Sequence, residues 1–208
     1  QSWVQASTNF GWKDEKDTVN VGASVQSRDY EWLAHENVLG FAGEAPTFMS
    51  TRTKNLTTIT TGKITSSWRH NFANGAMLDT AASVSRTHRM QNASNDYIGL
   101  SGVVDLRREV EAGASEMGRT GSAKYRMPIG GSHALAFGLD GSSFAKDDHR
   151  IQVETSATGM PTSNTDERYH AKVTRSAVFV QDEIDLASGA SIYVGARGER
   201  IGIQSTNP

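Results

Sequence analysis

The chain has 208 residues, 37% apolar and 21% charged, with a net charge of −2 and no cysteine. That length suits one domain. The near-neutral charge supplies no basic field for nucleic acid, and the missing cysteines remove disulfide frameworks, thiolate metal sites and cysteine nucleophiles. No stretch approaches the roughly 18 to 20 apolar residues of a transmembrane helix. A transmembrane β-barrel stays open, because its lipid-facing and lumen-facing residues alternate and average to a modest mean hydropathy, here −0.48. Residue 1 opens on Gln-Ser-Trp, without a basic segment followed by an apolar one. An export signal is therefore expected to have been removed, or the chain to start inside a longer protein.

In chain order, residues 3 to 12 place Val4, Ala6, Thr8, Phe10 and Trp12 on one side and Gln5, Ser7, Asn9 and Gly11 on the other. This strict period of two predicts a strand. After the charged turn Lys13 to Asp17, Val19, Val21, Ala23 and Val25 alternate with Asn20, Gly22, Ser24 and Gln26, completing a hairpin over 3–33. The unit recurs three times. Runs 57–72 and 76–90 flank Ala73-Asn74-Gly75, whose Asn-Gly is a strong hairpin signal. Runs 113–127 and 132–146 flank Pro128-Ile129-Gly130-Gly131, and runs 171–186 and 191–203 flank Ala187-Ser188-Gly189-Ala190. Eight strands in four hairpins follow, over 3–33, 57–90, 113–146 and 171–203.

Between the hairpins, 34–56, 91–112 and 147–170 are polar and aperiodic, and are expected to be long loops. Short turns alternating with long loops match the periplasmic turns and extracellular loops of an outer-membrane barrel. Trp12, Trp68, Phe72 and Tyr125 lie near the short turns, where an interfacial aromatic girdle belongs. Strand 113–127 departs from the pattern: Glu116, Lys124 and Arg126 share one face and Arg119 lies on the other, which predicts a bulge or a strand that continues past the bilayer. The fold class read from these patterns is all-β, an antiparallel up-and-down transmembrane barrel segment. With short turns below, both chain ends lie on the loop side, so the segment is expected to be internal to a larger barrel.

The run Ser176-Ala177-Val178-Phe179-Val180-Gln181-Asp182-Glu183-Ile184-Asp185-Leu186, a turn, then Ile192-Tyr193-Val194-Gly195-Ala196-Arg197-Gly198-Glu199 resembles the Phe-x-Gln-Asp-Glu, turn, Gly-x-Arg hairpin of TonB-dependent outer-membrane receptors. Trp68-Arg69-His70-Asn71-Phe72-Ala73-Asn74-Gly75 and His133-Ala134-Leu135-Ala136-Phe137-Gly138-Leu139-Asp140 are similar to middle barrel hairpins of ferric-siderophore and colicin receptors. The resemblance covers about residues 57 to 203. It implies a 22-stranded barrel in the bacterial outer membrane, with a plug that contacts TonB, importing a ferric chelate, haem, cobalamin or another scarce nutrient. The family's plug, TonB box and closing aromatic strand are not found in this sequence. The partners implied are the lipid bilayer with its lipopolysaccharide, a small-molecule ligand such as a ferric chelate, the remaining barrel strands and the plug.

No catalytic signature occurs: there is no Gly-x-Ser-x-Gly, His-Glu-x-x-His or phosphate-cradling glycine loop. Neither enzymatic activity, a cofactor nor a metal site is expected. The candidate ligand-binding residues are Arg28 and Tyr30 at the top of the second strand, Arg86, His88 and Arg89 at the top of the fourth, and Arg52 in the first long loop. Arginine offers a bidentate fork and a stacking plane to an anionic chelate, and tyrosine adds a hydrogen bond. The competing expectation is that these arginines pair with acids such as Asp29, Glu31 and Asp79. Glu183, Arg197 and Glu199 are expected on the lumen face, paired across the ladder and, by resemblance, against the plug. The alternative functions are a self-standing eight-stranded outer-membrane barrel with a structural or adhesive role, and a soluble β-sandwich or lipocalin-like binding protein.

Overall fold

A computed structural model describes residues 1–37, 48–186 and 189–206. They form eight strands: β1 (Ser2–Lys13), β2 (Asp17–Asn37), β3 (Ser50–Asn71), β4 (Met77–Ile98), β5 (Val104–Ile129), β6 (His133–Ser156), β7 (Pro161–Asp185) and β8 (Ser191–Thr206). Every strand pairs antiparallel with its sequence neighbour, giving one sheet in the order β1 to β8, and there is no helix among the described residues. The fold is therefore all-β, antiparallel and up-and-down. The outer edges of β1 and β8 are not paired to each other.

Turn chemistry fixes the short connections. The Asp14 carboxylate accepts from the backbone N–H of Lys16 (2.8 Å) and Asp17 (2.6 Å), which closes the first turn. In the second, Asn74 accepts from the Ala76 N–H at 3.1 Å and Gly75 sits at φ +80°, a region open to glycine. Of the fourth turn, Ala187 and Ser188 lie outside the described residues.

The expected long loops are corrected. Segment 91–112 contracts to a connection at 99–103, and 147–170 to one at 157–160; within 34–56 the strands claim 34–37 and 50–56, while 38–47 lie outside the described residues. Strands of up to 26 residues result. The reason is physical. Gln91 to Tyr97 and Asp147 to Ser156 pair in regular ladders, but polar and charged residues fall on both faces and leave only fragments such as Ile151 and Val153, so the apolar phase that marks a half-buried strand fades while the backbone pairing continues. Of the two alternatives expected for 113–127, the bulge is absent and the strand is long, running from Val104 to Ile129. That stretch pairs without a register shift, and the shifts fall at the strand tops, by Tyr97/Ile98 and Glu154/Thr155.

Register divides the side chains into two faces. Phe10, Val21, Ser66, Ala82, Gly121, Gly141, Ser176 and Arg200 form one row across the sheet, and Trp12, Val19, Trp68, Thr80, Ala123, Leu139, Val178 and Gly198 the next row down. On this face the half nearest the short turns is an apolar band, also containing Val25, Ile64, Leu78, Val84, Leu135, Phe137, Val180 and Val194. Asn9, Asn20, Gln26, Asp79 and Arg197 occupy the opposite, polar face. The band is bordered toward the short turns by rings in contact: Trp68 to His70 (5.9 Å between centroids), His70 to Phe72 (4.5 Å), Phe72 to Tyr125 (5.7 Å) and Tyr125 to Phe137 (5.3 Å).

The apolar side chains do not converge on an interior. Among the described residues the buried apolar positions are four alanines, Ala76, Ala114, Ala136 and Ala177, while Val25 is 50%, Leu139 56% and Val194 60% exposed. A soluble domain of this length buries most of its large apolar side chains, and a sandwich packs two sheets face to face. Here there is one sheet, with its apolar face bare.

Candidate functional site

The polar face is hollowed. One depression of about 760 Å³ is bordered by seven successive strands, from Asn9 on β1 through Asn20, Thr65, Ser83, Thr120 and Ser142 to Arg175 on β7. Seven strands laid flat span about 29 Å at ~4.8 Å per step, so the sheet must wrap around this space, and the polar face is the concave one. A second hollow of about 660 Å³ lies further from the short turns. It is bordered by Asn55, Arg89, Gln91, Asn95, Arg150, Glu167 and Tyr169.

Small residues make room for both the hollows and the charge pairs that cross them. Arg197 on β8 reaches over β7 to grip Asp140 on β6 through both Nη atoms, at 2.9 and 3.2 Å. The residue of β7 opposite Asp140 is Ala177, only 4% exposed beneath the crossing. Arg126 on β5 likewise donates over β6 to Glu183 on β7 at 2.6 Å, past buried Ala136. Glu183 also accepts from the Tyr193 hydroxyl at 2.8 Å, and Glu199 accepts from Arg175 at 2.7 Å while lying 3.4 Å from Arg197 Nε. Glu183, Arg197 and Glu199 lie on the polar face in two charge networks: Glu183 with Arg126 and Tyr193, and Arg197 and Glu199 with Asp140 and Arg175, none of which was a site candidate from the sequence. Their alternation phase, counted from the valines of the same hairpins, was the available signal.

The remaining candidates separate. Arg28 and Arg89 flank Ile59 in one row of the polar face, and the next row up carries Tyr30, Thr57 and Gln91. The same rows continue through Ala114, Asp148 and Tyr169, and through Ala112, Arg150 and Glu167. Short Ala112 and Gly113 on β5 floor the upper hollow, leaving Arg89, Arg150 and Tyr169 around it. Arg52, Arg86 and His88 lie on the opposite face, so they do not join this group. Arg52 belongs to β3, opposite Asp96 and His35, and not to a loop. Arg150, Glu167 and Tyr169 were missed because they fall within 147–170, where Ile151 and Val153 are too short an apolar alternation to mark a strand.

The acids expected to neutralise the arginines are engaged elsewhere. Asp79 pairs with Arg69 (2.6 Å), Glu31 with Lys54 (3.6 Å), and Asp29 accepts from Ser2 and Thr58. Arg28 stacks over the Trp3 ring, 5.7 Å from its centroid. Among the described residues neither Arg28 nor Arg89 forms an ion pair. Arg150 has Glu167 only at 3.8 Å. The upper hollow is therefore a polar concavity bearing Arg89, Arg150 and the Tyr169 hydroxyl, groups suited to a polyoxygenated anion, with Arg28 and Tyr30 on the same face of the neighbouring β2. At the strand tops, the Asp96 carboxylate beside Arg107 (2.7 Å) pushes that guanidinium pKa above its ordinary value, which fixes a charge pair on the rim. No group of three or more metal-ligating side chains occurs among the described residues. No protein-family model matches the chain, and no curated protein matches it.

Proposed function

We propose that this chain is part of the wall of a large transmembrane β-barrel in a bacterial outer membrane, serving TonB-dependent import of a scarce anionic nutrient such as a ferric chelate. The observation that carries the reading is the exposed apolar band on one face of a single curved sheet, ringed by aromatics, with a polar concavity behind it. Lipid is the solvent in which a bare band of this kind is stable.

The stagger of the hairpins supports it. Thr18, at the first turn, is opposite Arg69, two residues short of the end of β3; Asn71 and Met77 align with Arg126, three short of the end of β5; His133 aligns with Ile184, one short of the end of β7. Turns lying in one plane then require the strands to shift about one residue per strand. That is about 3.3 Å along for each 4.8 Å across, a tilt of about 35°, within the range of membrane barrels. The unpaired edges of β1 and β8 would leave backbone groups unsatisfied in lipid, and further strands along both satisfy them. Arg28, Tyr30, Arg89, Arg150 and Tyr169 then line a vestibule above the level of the band.

The native absence of cysteine makes the test direct. Single cysteines placed at Val21, Leu139 and Val194, or at Asn20, Ser122 and Ser142, are reacted in lipid vesicles with a membrane-impermeant maleimide after the lumen is opened with a pore-former. The second set is expected to label and the first to resist. Equal labelling of both sets contradicts the reading.

A further inference from the structure

The apolar band has a sharp upper edge, and that edge is basic. Arg86 stands nine residues up β4 from Met77, Arg119 ten residues up β5 from Ile129, and Arg200 nine residues up β8 from Ser191. Strand by strand, these positions share one height above the short turns. With about 3.3 Å rise per residue and the tilt of about 35°, that height is about 25 Å, the thickness of the apolar belt of a membrane barrel. All three arginines project from the apolar face and are exposed. Below them on that face, among the described residues, the acids are Asp17 and Asp182 beside the short turns, and both are engaged, Asp17 by His70 and the Trp68 indole at 2.7 Å and Asp182 by His133 at 2.8 Å.

Arg86 and Arg119 are the closest pair. Arg86 is opposite Met117 and Arg119 opposite Val84, so the two are diagonal neighbours across β4 and β5, a spacing of about 7–8 Å and somewhat less between β-carbons. Two guanidinium forks at this separation can close on one phosphate from both sides. Among the described residues neither has a carboxylate partner; Arg119 donates only to the sulfur of Met117, at 3.5 Å. His88 lies one step higher on β4, and Lys172, thirteen residues up β7 from Asp185, lies above the border. An arginine on a lipid-facing surface without an acid is costly unless an anion from the membrane meets it, and at this height the anions available are headgroup phosphates.

We infer that Arg86 and Arg119 form a binding site for the phosphate of an anionic lipid headgroup at the loop-side interface, extended by Arg200. The ligand class is a phosphorylated lipid of the leaflet facing the long strand extensions. This rests on the membrane-spanning reading above, whereas the concave vestibule plays no part in it.

The test uses the full chain in a neutral detergent, titrated with diphosphoryl lipid A or its dephosphorylated counterpart and read by native mass spectrometry. The wild type should retain the diphosphoryl lipid at least about tenfold more tightly. R86Q/R119Q should lose most of that preference, R86K/R119K should keep part of it, and R200Q should lose less. In parallel, fluorescence of Trp12 and Trp68 is measured in neutral vesicles carrying brominated acyl chains. Quenching in both wild type and R86Q/R119Q, with no difference in headgroup preference between them, overturns the phosphate site and leaves the membrane reading intact. Absence of quenching in the wild type overturns both.

Discussion

The lower and upper halves of the same strands make the most instructive comparison in this molecule. Near the short turns, β2 to β8 carry an apolar face and a polar face. Beyond the row of Arg86 and Arg119 the backbone ladder continues for another ten or more residues in β4 to β7, but both faces are polar or mixed. The pairing geometry is the same in both halves, and only the chemistry of the side chains on one face has changed. The lower half is specified by side-chain chemistry as well as backbone hydrogen bonds, the upper half chiefly by the ladder it inherits from below.

The largest expected effect separates the halves directly. Leu139→Arg, in the middle of the band, should destabilise the sheet in a bilayer by about 2–4 kcal/mol. Val153→Arg, on the same face of β6 in its upper half, should change stability by no more than about 0.5 kcal/mol. Urea unfolding from vesicles measures both, and equal losses would erase the distinction between the halves.

Next in size is the role of small residues under the charge crossings. Ala177→Leu should lift Arg197 from Asp140 and cost about 1–2 kcal/mol, mostly from overpacking, since the pair itself is partly solvated. Ala123→Leu, on the opposite face, should be tolerated. The same unfolding assay decides, and a neutral Ala177→Leu would mean that the crossing does not depend on the small residue.

A third expectation concerns the vestibule. Arg28→Ala and Arg89→Ala should each weaken binding of an anionic ferric catecholate about tenfold in isothermal titration, leaving stability within about 0.5 kcal/mol. Arg52→Ala, on the other face, should leave binding unchanged. A loss with Arg52→Ala equal to that with Arg89→Ala would dissolve the division between faces.

The smallest effect is at the turn side of the aromatic ring. There the hydrogen bond from His70 (2.7 Å), then that from the Trp68 indole (2.7 Å), hold the Asp17 carboxyl below the usual carboxylate range. Because the folded pKa is depressed, the contribution is complete above the unfolded value of about 3.9 and is lost as pH falls through the lower folded value. Amide exchange in the first two hairpins should therefore accelerate only in acid, and Asp17→Asn should abolish that acid dependence. An unchanged acid profile in Asp17→Asn would assign the effect to other groups.

How much of this could be read from the sequence follows from the same comparison. Val19, Val21, Ala23 and Val25 against Asn20, Gly22 and Ser24 announce a strand and its two faces, and Asn74-Gly75 announces the turn, because burial against an apolar medium writes a period of two into residue type. Gln91 to Tyr97 write no such period, and in Asp147 to Glu154 only Ile151 and Val153 do, so their strands read as loops. The site suffered accordingly. Arg28, Tyr30 and Arg89 emerged because they continue a visible alternation, Arg86 and His88 were placed without regard to its phase, and Arg150 and Tyr169 were hidden in a segment without one. The crossings of Arg197 to Asp140 and Arg126 to Glu183 span an intervening strand, a distance that only the register supplies.

The four tryptophans allow the central claim to be tested within one protein. Trp12 and Trp68 lie on the apolar face beside the short turns, and Trp3 and Trp32 on the polar face in the upper half. Single-tryptophan variants reconstituted in vesicles of brominated phosphatidylcholine should show strong quenching of Trp12 and Trp68 and little quenching of Trp3 and Trp32. Equal quenching of all four, or of none, would contradict a lipid-facing band.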